Sequence, residues 1–421
     1  MFFKLMKIYL EVYGCTANKA DASLIKGILQ ENKYEIVKNL DDADFVVILT
    51  CIVIDKTEQR MLSLLRKFKT SGKKIIVAGC MASIQKEKIK KILPDARFLP
   101  PQYSHHIIDI IENRNANFIE KNKTIFPKKF DNIIAPIAIA EGCMFSCSYC
   151  ITTIARGKLR SFTINEIKKD ISYALNSGCK EIQLTAQDIS SYGLDKKTDL
   201  GKLLKSVTKF KEDFRIRIGM MNPFTCLKNL DSIINGFDSS KIYKFAHLPV
   251  QSGDNEILKK MNRKYTVQDF KNIVYTFRQK YPDITIATDV IAGFPDETDK
   301  QFQNTIDLIK KIKPDVTNIT RFSARPNTIA KTMKGRITTE VAKQRSKILT
   351  EICDDISFEQ NKKHIGRKYN ILVTEVGKNN SFMGRSENYK PVVLKENLKI
   401  GTFKNVEIKD AAITFLLANL I

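Results

Sequence analysis

The chain has 421 residues, 43% of them hydrophobic and 28% charged, which is the balance of a globular protein with two or three domains. The 70 Lys and Arg residues outnumber the 46 Asp and Glu residues, so the formal net charge is +24. This charge favours a polyanionic partner such as nucleic acid, the alternative being a lysine-rich surface that is only solvated.

The first 112 residues alternate between strand and helix patterns. Three apolar, β-branched segments predict strands: KIYLEVYGC, DADFVVILTC and KKIIVAGC. Helices are predicted from about Lys19 to Gln30 and over TEQRMLSLLRKFKT. This alternation predicts a parallel, doubly wound sheet.

Each of these three strands ends on a cysteine, namely Cys15, Cys51 and Cys80. In an open α/β sheet, ligands bind outside the carboxyl ends of the strands, so we expect the three thiols to converge at one edge. A single cysteine there would be a small buried hydrophobe. Three at equivalent strand ends predict a metal site, and the nine cysteines lack the pattern of a secreted scaffold.

Residues 113–132 have no clean period and predict a linker to a second α/β segment, 133–362. Its helices include INEIKKDISYALNSG and TVQDFKNIVYTFRQKYP, and a closing helix from about Thr338 to Lys363. Six strand segments are too few for a closed eight-fold barrel and predict an open, partial (β/α)6 barrel. They are IIAPIAIAEGC, KEIQLTAQD, FRIRIGMMNP, KIYKFAHLPVQ, DITIATDVIAGFP and DVTNITRFSARP.

Residues 363–421 change character to short alternating runs broken by Gly, Asn and Pro, which predict a small antiparallel β-barrel. The final run, AAITFLLANLI, is shorter than the ~20 residues of a membrane span. The amino terminus lacks the apolar core of a signal peptide. We therefore expect a cytoplasmic protein with no membrane segment, and a monomer.

The loop EGCMFSCSYC places Cys143, Cys147 and Cys150 at a C-x3-C-x2-C spacing after the first strand of the partial barrel. Three thiolates are one ligand short of a closed zinc site. A four-iron cluster held by three cysteines keeps one iron open to an outside ligand. Zinc with a remote histidine is the alternative, although none of the four histidines has close ligand spacing to this loop.

This loop, on the first strand of a partial barrel, resembles the radical S-adenosylmethionine superfamily. The resemblance implies that Cys143, Cys147 and Cys150 hold a 4Fe–4S cluster whose open iron binds S-adenosylmethionine. One electron from the cluster would cleave the sulfonium and give a 5′-deoxyadenosyl radical. Tyr149 matches the aromatic residue that the superfamily places beside the adenine, its alternative role being that of a surface tyrosine.

Motifs along nearly the whole chain are similar to those of the methylthiotransferase family. They are, in order, YGCTANKAD, LTCIV, VAGCM, EGCMFSCSYC, LTAQDISSYG, MMNP, HLPVQSG and AGFPDET. ITTIARGKLRS and FRIRIGMMNP resemble the archaeal and eukaryotic branch, which converts N6-threonylcarbamoyladenosine next to the tRNA anticodon to its 2-methylthio derivative. The last segment resembles the RNA-binding TRAM domain. LTC stands where the family commonly has NTC, which leaves Cys51 in place.

The family resemblance implies that Cys15, Cys51 and Cys80 hold a second, auxiliary 4Fe–4S cluster. Carbon 2 of adenine is an unactivated C–H position, so a radical has to remove its hydrogen and sulfur has to be supplied nearby. Two molecules of S-adenosylmethionine are implied, one as methyl donor and one as radical source. The implied partners are the tRNA anticodon loop, whose bases are unpaired, an electron donor protein and a sulfur source.

Polar residues at the strand ends of the partial barrel are candidates for cofactor binding, with packing or capping as the alternative. Arg217 could pair with the S-adenosylmethionine carboxylate, because a guanidinium matches that geometry. The remaining candidates are Gln187, Asp188, Gln251, Ser252, Asp289 and Ile291.

Other polar and sulfur-bearing residues receive structural or RNA-facing predictions. We expect Cys179, Cys226 and Cys353 to be structural and His247 to be a core residue. Basic residues of the last segment could follow phosphates, with aromatic residues as stacking surfaces, unless they form a solvated face and a core. These are Lys368, Lys378, Arg385, Lys390 and Lys404, with Tyr369, Phe382 and Phe403.

Three alternative functions remain beside methylthiolation of threonylcarbamoyladenosine. The nearest is the same reaction on isopentenyl-adenosine in tRNA. Another is methylthiolation of a ribosomal protein aspartate, which would not require so basic a surface. The third is a non-catalytic iron–sulfur RNA-binding protein, against which the intact cysteine loop argues.

Overall fold

The computed structural model describes residues 5–114 and 118–421, so part of the predicted linker, 115–117, lies outside the described residues. The chain divides into two compact units. The first unit comprises residues 1–131, 136–170 and 323–331, and the second comprises 132–135, 171–322 and 332–421. Within the described ranges, no helix has both the length and the apolar character required to cross a membrane.

The first unit is built on a parallel sheet, as predicted, and the sheet has five strands where the sequence predicted three. Its strands lie in the order β2-β1-β3-β4-β5, and all neighbours run parallel. The strands are β1 (Lys7–Val12), β2 (Glu35–Val37), β3 (Phe45–Thr50), β4 (Lys74–Gly79) and β5 (Arg97–Leu99). The helices are α1 (Thr16–Glu31), α2 (Asp55–Lys69), α3 (Cys80–Ile84), α4 (Lys86–Lys90) and α5 (Ile107–Ile111). Strand order reverses between β1 and β3, the position at which such sheets bind ligands.

Both faces of this sheet are covered, which explains why β3 is apolar along its whole length. Val46 and Ile48 face a core formed with α2 and α3, whereas Val47 and Leu49 face a core formed with α1 and α5. Every residue of β3 is buried. Helix α2 turns its predicted apolar stripe inward and buries Met61, among others.

The first unit also contains the cysteine-rich loop and its flanking elements. These are β7 (Ala140–Glu141), α6 (Thr152–Arg156) and β8 (Arg160–Ser161), with β7 and β8 paired antiparallel. The segment predicted as a linker includes a 3-10 turn, Lys123–Ile125, and two buried lysines, Lys123 and Lys128. These lysines form ion pairs inside the unit, so this part of the predicted linker is packed.

The strands of the predicted partial barrel lie in the second unit, except for the end of β6, and the pairs β9–β10, β11–β12 and β12–β13 are parallel. They form two sheets, β10-β9-β6 and β11-β12-β13, and single bridges such as Ile216 to Ile242 join β10 to β11. Six strands therefore follow one another in chain order, and the barrel stays open. The strands are β6 (Ile134–Ala138), β9 (Glu181–Thr185), β10 (Arg215–Ile218), β11 (Phe245–His247), β12 (Thr285–Ala292) and β13 (Val316–Arg321).

Helices connect these strands, and side chains cap several of them. Thr266 and Asp269 form a reciprocal capping box at the start of α12, and Thr298 and Gln301 form another at α13. The helices are α7 (Ile164–Asn176), α8 (Leu200–Val207), α9 (Pro223–Lys228), α10 (Leu230–Gly236), α11 (Asn255–Lys260), α12 (Val267–Lys280) and α13 (Asp299–Ile312). Both β6 and α7 have residues in each of the two units.

A long helix, α14 (Thr339–Lys362), leads into a closed five-stranded barrel in the order β14-β15-β16-β18-β17. The barrel is antiparallel as predicted, except that β16 and β18 pair in parallel. Its core includes Ile371, Val392 and Val406. The strands are β14 (Lys368–Val376), β15 (Phe382–Arg385), β16 (Pro391–Leu394), β17 (Phe403–Ala411) and β18 (Leu416–Leu420).

Candidate functional site

Cys15, Cys51 and Cys80 lie at the carboxyl ends of neighbouring strands of the first sheet. Cys51 follows the last residue of β3 and Cys80 follows the last residue of β4, while Cys15 precedes α1 just beyond β1. The order β1-β3-β4 makes these ends adjacent. Parallel strands with aligned ends therefore bring the three thiols to one edge, at the point where the strand order reverses.

Two glycines allow the backbone to approach closely at this edge. Gly14 has φ of +102°, and a Cβ there would lie 2.9 Å from the Cβ of Cys51. Gly79 has φ of +83°, and a Cβ there would lie 2.6 Å from the carbonyl oxygen of Thr50. A side chain at either position would push the cysteine-bearing loops apart.

Asn18 joins two of these strand ends. Its side-chain amide donates hydrogen bonds to the carbonyl oxygens of Tyr13, at 2.7 Å, and Thr50, at 2.9 Å. Its own side-chain oxygen accepts a hydrogen bond from Arg156 at 2.7 Å. Asn18 is fully buried, so this single residue in the first turn of α1 fixes the ends of β1 and β3.

A buried network of charges lies beside the three cysteines. Arg156 Nη2 is 2.8 Å from Asp21 Oδ2, and Lys123 Nζ is 2.6 Å from Asp21 Oδ1. Lys123 also pairs with Glu141, which accepts from Arg160 at 2.9 Å. Burial alone would raise the pKa of Asp21, but Lys123 and Arg156 outweigh it and hold that pKa below its ordinary value.

The electrostatics link this network to the thiols. Burial raises the pKa of Cys51 and Cys80, and the guanidinium of Arg156 opposes that rise at both. Burial would lower the pKa of Arg156, but Asp21, Cys80 and Cys15 raise it. Arg156 therefore lies within electrostatic range of all three cysteines.

The second set of cysteines lies in the loop between β7 and α6, also in the first unit. Cys143 N–H donates to the carbonyl oxygen of Gly157 at 3.0 Å, and Cys150 N–H donates to that of Cys147 at 3.0 Å. All three thiols are partly exposed. Tyr149, the predicted neighbour of the adenine, is also partly exposed in this loop.

The turn that leads into this loop also depends on a glycine. Gly142 has φ of +71°, and a Cβ there would lie 1.9 Å from the carbonyl oxygen of Lys158. This contact leaves no room for a side chain. The entry to Cys143 is therefore shaped by close contact between the two arms of the β7–β8 pair.

Each cysteine trio offers only thiol donors, which are the ligands of iron–sulfur clusters. Within residues 5–114 and 118–421, no three Cys, His, Asp or Glu side chains are grouped so that they could hold one metal ion. A single zinc ion would need each thiolate sulfur at ~2.3 Å from the metal. In a four-iron cluster each thiolate binds a different iron, so the ligands stay further apart.

The histidines, which the zinc alternative requires, have other partners. The Nε2 atoms of His105 and His106 lie 3.0 and 3.2 Å from the carbonyl oxygen of Ile119. His247 Nε2 lies 2.9 Å from Asp289, and His364 Nδ1 lies 2.5 Å from the hydroxyl of Tyr369. Each of the four histidines therefore has a hydrogen-bond partner within the protein.

Two neighbouring candidate cofactor residues of the second unit, Asp188 and Gln187, differ in their hydrogen bonds within the protein. Asp188 is buried, and Asn222 N–H, Ser190 and Thr225 all donate to its carboxylate at 2.6 to 3.1 Å. Desolvation by burial raises its pKa. By contrast, the side-chain oxygen of Gln187 is buried with no hydrogen-bond partner in the described part of the chain. Gln187 is thus the residue of this pair that can accept from a ligand.

Strands β11 to β13 bring further candidates together. Asp289 Oδ1 lies 2.9 Å from His247 Nε2 and accepts from Asn318 at 2.8 Å. Gln251 has φ of +70° and bridges to Val290, because its N–H donates to the carbonyl of Asp289 at 2.8 Å. Ile291 is half-buried on the same face as Asp289. These strand ends therefore form one polar cluster, in which His247 is half-buried and hydrogen-bonded.

Ser252 and Arg217 have mainly protein contacts. Ser252 is fully buried, and its hydroxyl accepts from Asp254 N–H at 3.2 Å. The guanidinium of Arg217 lies 5.2 Å from the ring centre of Phe245 and 5.4 Å from that of Tyr389.

Among the residues predicted to face RNA, Lys390 has a different role. It is buried and pairs with Asp315 at 2.7 Å and Asn361 at 2.8 Å. Lys368 and Lys378 are exposed, whereas Phe403 lies beneath Arg215 at 4.5 Å. Cys179, Cys226 and Cys353 are buried, as expected of structural cysteines.

Sequence reasoning did not identify Asn18, Asp21, Lys123 and Arg156 as part of the site. One signal was available, since Asn18 and Asp21 are polar residues one turn apart on the face of α1 that also carries alanines. Their partners are far away in the sequence, as in the hydrogen bond from Arg156 to Asn18 across 138 positions.

The chain matches three protein families along its length. Residues 7–99 match an uncharacterized protein family, UPF0004, residues 137–309 match the radical SAM superfamily, and residues 362–421 match the TRAM domain.

Curated relatives align over nearly the whole chain. A probable threonylcarbamoyladenosine tRNA methylthiotransferase of Pyrococcus horikoshii is 39% identical over 99% of this chain and 100% of its own. The human threonylcarbamoyladenosine tRNA methylthiotransferase is 32% identical over 98% of this chain and 73% of its own. A tRNA-2-methylthio-N(6)-dimethylallyladenosine synthase of Thermodesulfovibrio yellowstonii is 34% identical, with 95% of each chain covered.

Solved structures share the fold at low sequence identity. The radical S-adenosylmethionine methyltransferase TsrM from Kitasatospora setae superposes with a TM-score of 0.57 at 12% identity, covering 78% of this chain and 77% of its own. The cobalamin-dependent S-adenosylmethionine radical enzyme OxsB superposes with a TM-score of 0.52 at 11% identity, covering 84% and 56%. These likenesses support the arrangement of the α/β elements.

Proposed function

Since the chain belongs to the radical S-adenosylmethionine methylthiotransferases, in the archaeal and eukaryotic branch that acts on tRNA, we propose that it methylthiolates carbon 2 of N6-threonylcarbamoyladenosine beside the anticodon. The reaction would use two 4Fe–4S clusters and two molecules of S-adenosylmethionine. Relatives bearing that name at 32% to 39% identity support the choice of substrate.

The observation that carries the proposal is the presence of two thiolate trios in one compact unit. Cys15, Cys51 and Cys80 lie at adjacent strand ends, and the second trio lies in the loop before α6. When bound, one cluster would supply the electron that cleaves S-adenosylmethionine, and the other would hold the sulfur for transfer. A trio leaves one iron of each cluster free for these ligands.

Side chains of the chain would bind and orient the substrates. Tyr149 would lie beside the adenine of S-adenosylmethionine, and the unpartnered oxygen of Gln187 would accept a hydrogen bond from a ligand. Gln251, whose backbone is held in a left-handed conformation between β11 and β12, would present a polar group beside Asp289. Asp188, by contrast, would hold its loop in place through the hydrogen bonds that saturate its carboxylate.

A positively charged cavity in the second unit supports tRNA as partner. The cavity has a volume of about 290 Å³ and is bordered by the ends of α12, α13 and α14 and the start of the C-terminal barrel. Its two aspartates are neutralised, Asp283 by Arg367 and Asp315 by Lys390, both at 2.7 Å. The exposed cations that remain, Lys311, Lys313 and Lys363, would bind backbone phosphates.

The runner-up substrate is isopentenyl-adenosine in tRNA. The Thermodesulfovibrio relative, whose name specifies a dimethylallyladenosine product, aligns over 95% of this chain at 34% identity. The two substrates differ in the group on N6, and mass spectrometry separates their products.

Nucleoside analysis of tRNA tests the proposed reaction. Cells that lack this gene should lose 2-methylthio-threonylcarbamoyladenosine and accumulate the unthiolated nucleoside, and the wild-type gene should restore it. Unchanged nucleosides, or loss of the dimethylallyl product instead, would reject the proposed substrate.

Cysteine substitutions test the division of roles. Anaerobically reconstituted protein should contain about eight irons. Cys147→Ala should abolish cleavage of S-adenosylmethionine, whereas Cys51→Ala should retain cleavage and lose thiolation. Cys353→Ala, which removes a buried cysteine outside both trios, is the matched control and should retain both activities. An iron content near four in the wild type would refute the second cluster.

A further inference from the structure

Arg156 connects the two cysteine sets through a buried position. It is the last residue of α6, the helix that follows Cys150 by one residue, and it is 4% exposed. Its Nη2 donates to Asp21 at 2.8 Å and to Asn18 at 2.7 Å. Its Nε is buried with no hydrogen-bond partner among the described residues.

A buried guanidinium requires a compensating charge, and Asp21 supplies only part of it. Asp21 is shared with Lys123, which also pairs with Glu141, so the four side chains together are neutral. Any further negative charge beside Arg156 has to come from outside this group. The guanidinium lies beside the sheet edge, because Asn18 accepts from Arg156 at 2.7 Å and donates to the carbonyl oxygen of Thr50, the neighbour of Cys51, at 2.9 Å. The three thiols at that edge would be thiolates when they bind iron.

A buried cation beside this sheet edge affects electron transfer to a cluster bound there. Reducing an iron–sulfur cluster by one electron adds one negative charge to it. A nearby buried cation stabilises the reduced form more than the oxidised form, and low solvent exposure strengthens the effect. Net charge, hydrogen bonds to sulfur and solvent exposure are the features that set cluster potentials.

We infer that Arg156 is a positioning residue that raises the reduction potential of the cluster bound by Cys15, Cys51 and Cys80. The inference rests on the proposed function, because it assumes the second cluster. Asp21 acts in the opposite direction, since its carboxylate partly cancels the field of Arg156. The pair therefore sets the charge at the sheet edge.

The test is a redox titration followed by electron paramagnetic resonance. The full-length chain with all three loop cysteines, Cys143, Cys147 and Cys150, changed to Ala would carry only the auxiliary cluster. In this background, Arg156→Gln should shift the midpoint potential to more negative values. Arg156→Lys, which keeps the charge, should shift it less.

Asp21→Asn is an independent variant that should shift the midpoint potential in the opposite direction. It removes the carboxylate and keeps the guanidinium, so the midpoint should shift to more positive values. A purely structural role for the pair would not produce shifts of opposite direction. Lys390→Gln, which breaks the buried ion pair of Lys390 with Asp315 at 2.7 Å in the second unit, is the matched control and should leave the potential unchanged.

The outcomes separate this inference from the proposed function. If the background protein binds no iron, the second cluster itself is refuted. If it binds about four irons and the midpoints of Arg156→Gln and Asp21→Asn coincide, or move in the same direction, the role of Arg156 is overturned. If Arg156→Gln does not fold, the signs of Arg156→Lys and Asp21→Asn still decide the question.

Discussion

At the scale of single residues, Gly142 is the most constrained position of the cysteine loop. Its φ of +71° costs most other residues ~1–2 kcal/mol, and a Cβ would meet the carbonyl oxygen of Lys158 at 1.9 Å. We expect Gly142→Ala to displace Cys143, lower the bound iron from about eight to about four, and reduce S-adenosylmethionine cleavage at least about tenfold. Iron analysis and a cleavage assay measure both effects.

Gly72 provides the control for this substitution. It has a similar φ of +66°, but a Cβ there would meet nothing within 4 Å. Gly72→Ala should therefore cost only the conformational ~1 kcal/mol and leave iron and cleavage unchanged. Full iron and activity in Gly142→Ala would show that the turn before Cys143 tolerates rearrangement.

The sequence predicted the cysteines of both trios but not the side chains that surround them. Cysteines at strand ends have a pattern along the chain, because parallel strands align their carboxyl ends. Arg156 and Lys123 have no such pattern, because their partner, Asp21, is 135 and 102 positions away. Asp188 shows the opposite case. Its position at a strand end predicts a ligand-binding residue, but donors from the protein itself occupy its carboxylate.

At the scale of elements, long periodic segments were predicted well, and several short elements were missed. The predicted helix from Lys19 to Gln30 corresponds to Thr16–Glu31, and the six barrel strands follow in chain order. Elements of two to five residues, such as α6 and the β7–β8 pair, carry too few positions for a hydrophobic period. Tertiary contacts fix these short elements, which nonetheless hold the cysteine loop.

The hairpin between β15 and β16 joins the C-terminal barrel to the partial barrel within the second unit. Tyr389, at φ of +64°, places its ring 4.7 Å from that of Tyr243 and its hydroxyl 3.2 Å from Glu181. Lys244 N–H donates to the carbonyl of Glu387 at 2.8 Å. Glu181 and Tyr389 are 208 positions apart, so no local pattern could have predicted this junction.

Removal of the Tyr389 ring should loosen this junction. Tyr389 is half-buried, so we expect Tyr389→Ala to cost ~2–3 kcal/mol, less than the ~3–5 kcal/mol of a fully buried aromatic residue. Hydrogen exchange of peptides containing Lys244 and Glu387 should accelerate by roughly 30- to 150-fold.

The matched control for this junction is Tyr275→Ala. Tyr275 is 43% exposed on α12, and its removal should leave those exchange rates unchanged. Equal exchange rates in Tyr389→Ala and the wild type would show that the other contacts of the barrel, such as the ion pair of Lys390 with Asp315, are sufficient to hold it.

At the scale of the whole molecule, the excess of positive charge is the feature that composition alone predicted. A net charge of +24 favours polyanions in general, and it cannot tell which of the 70 basic residues contact a ligand. The structure narrows the choice, because Lys123, Lys128, Arg156, Arg325, Arg345 and Lys390 are buried in ion pairs. Only cations that remain exposed can release counterions from RNA.

The exposed lysines of the 290 Å³ cavity are therefore the place to test phosphate binding. Affinity for the tRNA should fall linearly with salt on logarithmic axes, and each lost phosphate contact lowers that slope by ~0.7–0.9. We expect Lys311→Glu with Lys313→Glu to weaken binding at least about tenfold and to lower the slope by ~1–2. Lys205→Glu with Lys209→Glu makes the same change in total charge at exposed positions outside the cavity. A site-specific contact requires the substitutions at Lys311 and Lys313 to lower tRNA affinity more than those at Lys205 and Lys209. Equal losses of affinity would mean that tRNA binding depends on net charge alone.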